Sequence, residues 1–131
     1  MSARTWRAIA VAGVLSGVPS SVHAAVTRRP ILAPARAAGT MLGRPTVTRG
    51  AIAHTAITTF WTLVLARLPR GDRPAVVGAA AGLAIAAVDL SIARRWFPAI
   101  AALPTWPQVA DHVAFGALAA VELARPAPTG A

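Results

Sequence analysis

Between Arg7 and Arg28 the chain runs for 20 residues, Ala8 to Thr27, without a formal charge. As a helix rising about 1.5 Å per residue, this stretch matches the roughly 30 Å hydrocarbon layer of a bilayer. The pattern recurs three times. Residues 50–66 lie between Arg49 and Arg67. Residues 74–93 open on Pro74, tolerated in a first helical turn, and close on Arg94 and Arg95. Residues 107–124 run from Pro107 to the edge of Arg125 and carry Asp111, His112 and Glu122. The reading is an all-α chain: a four-helix transmembrane bundle with spans at about 8–27, 50–66, 74–93 and 107–124, in a single integral membrane domain covering residues 1–131.

Composition agrees with lipid as the solvent. Hydrophobic residues make up 56% of the chain and charged ones 13%, where soluble domains carry about 25% charge. All 13 basic residues are arginines, against four acidic ones, for a net charge of +9. The arginines cluster at the ends of apolar stretches and form no stripe interleaved with stacking aromatics, so they read as membrane-flanking anchors and no nucleic-acid partner is expected. Alternating spans would place seven arginines on one side and six on the other, which sets no orientation. With no cysteine, disulfides and thiolate chemistry are excluded.

The connections have their own signals. Residues 31–42 place Ile31, Ala35, Ala38 and Leu42 on one side and Arg36 elsewhere, which predicts a short interfacial helix between the first and second spans. Leu68 to Arg73 is a compact turn, Trp96 to Trp106 with Pro98 and Pro104 an interfacial hinge, and 126–131 a flexible tail. Trp61 and Arg67 suit an interfacial helix end. Residues 1–24 also fit a secretory signal, with a basic start, an apolar centre and Val22-His23-Ala24 before a cleavage point. Small residues Gly13, Ser16, Gly17 and Ser20 on one face favour retention as a packed helix, which Pro19 should kink.

Several runs resemble a group of small bacterial integral membrane proteins with no assigned activity. They are Gly17 to Ser21, Arg36 to Gly39, Gly78 to Asp89, Arg95 to Pro98 and Pro107 to Gly116. The resemblance covers most of the chain, begins inside the first span and so implies that this span is retained.

Ionisable groups in lipid are costly and should turn inward to meet partners. Counting inward from the span ends, His23, His54, Asp89, Asp111 and His112 all fall about 6 to 8 Å inside one face of the bilayer. They form a candidate intramembrane polar cluster, with carboxylates paired to imidazoles or to arginines at the rim. Glu122 belongs to the opposite side, where it can pair with Arg125 or reach water. Gly13 with Gly17, and Gly78 with Gly82, are GxxxG pairs expected to pack the first and third spans together. Thr55, Thr58, Thr59 and Thr62 could line a polar path along the second helix.

The ligand spacing matches no known metal motif. Phosphate-binding, dinucleotide, zinc-peptidase and serine-hydrolase signatures are missing from the sequence. The expectation is therefore a non-enzymatic, multi-pass cell-membrane protein without catalytic residues, cofactor or metal. It would act as a structural or partner-binding subunit, with the bilayer, a second copy or another membrane protein as partner. The alternative is a transporter-like or proton-handling protein that uses the His/Asp cluster.

Overall fold

The computed structural model describes residues 1–69 and 71–126, so Arg70 in the second connection and all of the expected tail but Pro126 lie outside the described residues. The chain is all-helical, with 78% helix and no strands among the described residues. The helices are α1 (Ala3–Leu15), α2 (Val18–Val26), α3 (Ala33–Gly39), α4 (Val47–Leu65), α5 (Pro74–Trp96), α6 (Pro98–Ala101) and α7 (Thr105–Ala124); a 3-10 turn, Thr40–Leu42, follows α3.

Local chemistry sets the boundaries. The Ser2 hydroxyl accepts from Thr5 N–H at 3.2 Å and caps α1. The first apolar stretch is two helices, because Pro19 donates no N–H and its ring meets the carbonyl four residues back; α1 stops at Leu15 and Gly17 caps α2. Arg28, at φ 56°, takes the left-handed conformation that closes α2, while Arg29 N–H returns to Ala24 O at 2.8 Å. Phe97 is extended ahead of Pro98, which ends α5 at Trp96. Helix α7 begins two residues before the expected Pro107, a first-turn position where no N–H is needed.

Two stretches are long and apolar enough to cross a membrane, Ala3–Val26 and Pro74–Trp96. Helices α4 and α7 are shorter, at 19 and 20 residues, and more polar: α4 carries Arg49, His54 and a series of threonines, and α7 carries Asp111, His112 and Glu122.

The dominant contact is between α5 and α7, antiparallel and close enough to touch backbones. A Cβ on Gly78 would collide with Gly116 O, one on Gly82 with His112 O, and one on Gly116 with Gly78 O and, at 2.7 Å, Gly82 N. This corrects the expected pairing of the two GxxxG motifs. Helix α1 packs on α7 and α4 instead of α5: Gly13 faces Thr58 of α4, with its Cβ position 3.1 Å from Thr58 Cγ2, and Gly17 has nothing within 4 Å. The unforeseen partner of Gly78 and Gly82 is Gly116. Ala8 and Ala12 of α1, Leu65 of α4, Ile85 of α5, and Phe115, Ala119 and Leu123 of α7 form the core between these helices.

Helix α3 docks on the start of α4, where Gly50 lies directly against the Ala35 backbone. Its buried residues are Ala37 and Gly39, while Ile31 and Leu42 of the expected apolar face are exposed. Sequence periodicity missed this because glycine-mediated backbone contact leaves no apolar stripe.

Candidate functional site

Antiparallel packing brings the C-terminal parts of α1 and α5 together with the N-terminal parts of α4 and α7. Between them lies a cavity of about 320 Å³, whose wall includes His54, Asp89, Asp111 and His112. Four of the five expected cluster residues therefore meet around one space. His23 does not join them. It sits on the far side of α2, with its ring edge-on to Trp106 at 4.9 Å, beside a separate cavity shared with Ser20 and Gln108.

Each polar group is held by a specific neighbour. Asp111 Oδ1 accepts from the Ser20 backbone N–H at 2.9 Å and Oδ2 accepts from the Ser20 hydroxyl, tying α7 to α2. The same break that Pro19 makes in the first segment places Ser20 in the first turn of α2, where its N–H has no partner in its own helix. Asp89 Oδ2 accepts from the Trp61 indole N–H at 2.9 Å and lies 3.5 Å from His112 Nε2, joining α4, α5 and α7. Trp61 is thus a half-buried interior donor and not the interfacial anchor expected of it.

The two cavity imidazoles have assigned roles. His112 Nδ1 is 2.7 Å from Gln108 O, and a carbonyl only accepts, so the hydrogen is on Nδ1. Its Nε2 faces Asp89 Oδ2 at 3.5 Å. His54 Nε2 donates to Gly13 O at 2.8 Å, one of the last-turn carbonyls of α1. The Arg94 guanidinium, beside the cavity, donates to Ala101 O at 2.9 Å, Leu103 O at 3.1 Å and Ile100 O at 3.4 Å, closing the C-terminal end of α6.

The opposite end of the bundle has its own polar centre. Glu122 is only 5% exposed; its Oε2 is 2.7 Å from Arg7 Nε and its Oε1 3.1 Å from Arg125 Nη1. This corrects its expected place as a rim carboxylate: the Arg125 pairing is present, but the carboxylate is buried and tied across to α1. Arg4 adds a donated hydrogen bond to Leu123 O at 3.3 Å. Arg7 and Glu122 meet because the start of the first apolar stretch and the end of the last lie at one end of the bundle.

Of the threonine series, Thr58 and Thr62 are buried and Thr55 faces outward, so the four do not form a continuous polar line. Among the described residues no group of three or more histidine, aspartate and glutamate side chains is arranged to hold a metal ion. Comparison of the chain with protein-family models, curated proteins and solved structures gave no match.

Proposed function

We propose that this chain is a small multi-pass integral membrane protein in which the α1–α2 pair, α4, α5 and α7 cross the bilayer and α3 lies at its interface. It acts as a structural or partner-binding subunit without catalysis. The observation that carries this reading is an inverted polarity. On α5 the outward residues include Val76, Val77, Leu83, Val88 and Ile92, while Gly78, Gly82 and Ala86 face inward. Between the helices, beside a core that includes Leu65, Ile85, Phe115 and Leu123, lie alanines, glycines, the Thr58 and Thr62 hydroxyls and paired carboxylates. Lipid offers no drive to bury large apolar groups, so small residues and hydrogen bonds hold such helices together. Two helices long and apolar enough to cross a membrane give weak support in the same direction. The segment resemblance to small bacterial membrane proteins is part of the same proposal.

The carboxylate contacts support a structural role. Asp89, Asp111 and Glu122 each link α7 to a different neighbour, and cleavage after Ala24 would take Arg7 from Glu122 and Ser20 from Asp111. Single cysteines placed at Arg44, Pro69 and Ala102 test the topology, since the chain has none of its own. A membrane-impermeant maleimide should label positions 44 and 102 from one side and 69 from the other. Labelling of all three from one side, or recovery as a detergent-free aqueous monomer, overturns the reading.

The Asp89–His112 contact beside a cavity favours a second reading, proton handling across the bilayer. Reconstitution with an internal pH-sensitive dye tests it. Proton flux in the parent that disappears in a folded Asp89→Asn variant supports it, and no flux in the parent removes it.

A further inference from the structure

The walls of the 320 Å³ cavity differ in how their hydrogen-bonding groups are used. Its N–H donors are spent on internal acceptors. Trp61 Nε1 gives to Asp89, His54 Nε2 to Gly13 O, His112 Nδ1 to Gln108 O, and the Gln108 amide to Pro104 O at 3.0 Å. Arg94, the nearest guanidinium on α5, is engaged by the three carbonyls of the α6 turn. The acceptors are not spent. Asp89 receives both its contacts on Oδ2, leaving Oδ1 without a partner among the described residues, and the Gln108 Oε1 and His54 Nδ1 atoms are likewise without one. The hydroxyls of Ser16 and Thr58 can serve in either sense.

Charge points the same way. Asp89 has the His112 imidazole at 3.5 Å and no guanidinium, and Asp111 has no basic group within ion-pair distance, among the described residues. The rest of the lining is apolar and aromatic, including Ile85, Leu90, Phe97, Ile100 and Phe115. Such a wall disfavours an anion, whose oxygens would find only the Ser16 and Thr58 hydroxyls as donors, and suits a donor-rich head on an apolar body. Aromatic faces add attraction for a cation. The volume lies at the lower end of the about 300–1,000 Å³ typical of small-molecule sites.

We propose that this cavity binds a small lipophilic primary amine in its ammonium form, the head on Asp89 Oδ1 and the apolar body between α5, α6 and α7. This goes beyond a structural role for the polar cluster, and it does not depend on how many helices cross the bilayer.

The test is calorimetric titration of the full chain in phosphatidylcholine nanodiscs, with empty nanodiscs as reference. The probes are 2-phenylethylamine and 3-phenylpropionate. The amine should bind saturably at one per chain and the acid should not. Asp89→Asn should weaken amine binding by about tenfold or more, the scale of one charged hydrogen bond. Ala93→Leu, which takes up part of the cavity without touching a carboxylate, should weaken it by at least as much. No saturable amine binding, equal binding of the acid, or unchanged affinity in a folded Asp89→Asn overturns the proposal. If circular dichroism shows that Asp89→Asn has lost its helices, Ala93→Leu decides, and retained affinity in it is the overturning result.

Discussion

The two ends of the bundle solve one problem, a carboxylate away from water, in opposite ways. At one end Glu122 meets two guanidiniums, and the cavity next to it, lined by Leu65, Gly78, Ala120 and Leu123, measures only about 30 Å³. At the other, Asp89 and Asp111 meet an indole, an imidazole and a serine, and a space of about 320 Å³ remains beside them. Arginine brings a full charge, several donors and a long stem that fills volume. Trp61, His112 and Ser20 are each held at a fixed angle by their own helices and offer one or two donors, so satisfying the carboxylates with them leaves both acceptor capacity and room. A closed polar centre stabilises; an incompletely filled one can also bind.

That contrast can be broken by changing what the ends share or what distinguishes them. The largest effect is expected from Gly116→Val, because the backbones of α5 and α7 touch at Gly78, Gly82 and Gly116 and support both ends. A loss of about 3 kcal/mol or more, read from thermal unfolding in detergent, should accompany collapse of both centres. If the variant is as stable as the parent, the close approach does not hold the bundle together.

Next is Glu122→Gln, which leaves Arg7 and Arg125 without their counter-charge. Breaking a buried pair costs about 3 to 5 kcal/mol, and the partly exposed guanidiniums reduce this to about 2 kcal/mol. The double replacement Arg7→Met with Glu122→Met should recover at least half of the loss, since it leaves no buried charge alone. A double variant no better than the single one shows that the ion pair, and not merely its completeness, stabilises this end.

Ser20→Ala is expected to cost about 1.5 kcal/mol, because Asp111 keeps the backbone N–H and loses the hydroxyl. Its signature is local: faster amide hydrogen exchange across α2, with α5 unchanged. Uniform exchange throughout the bundle would mean that Asp111 does more than fasten α2. The smallest effect, about 1 kcal/mol, is expected of Trp61→Phe, which keeps the ring contact and removes one donor from Asp89. A larger loss, above that of Ser20→Ala in the same unfolding assay, would make the indole the main support of the open end.

Helices were legible wherever charge was missing over a long run, and the polar layer was legible because arginines mark the ends of the apolar stretches. Four of its five members meet around the cavity; His23 does not, since Pro19 divides the first segment and turns α2 toward Trp106. Trp61 was misplaced for a related reason. A common starting level for all helices sets it well past Asp89, and the hydrogen bond between them shows that α4 does not share that level. The GxxxG motifs marked close contact without naming the partner, because a bare glycine face is complementary to any other. Gly116 stands alone in α7, in no spaced pair, and only the packing reveals it.

Helix α7 is synthesised after the other described helices. Arg7, Ser20 and Asp89 each wait for a residue that lies about twenty to over a hundred positions later in the chain, so none of these cross-links can form until α7 has been made. A nascent chain stopped short of Thr105 has its earlier apolar segments but none of the α7 groups that fix their order, which makes synthesis of α7 a condition for assembly.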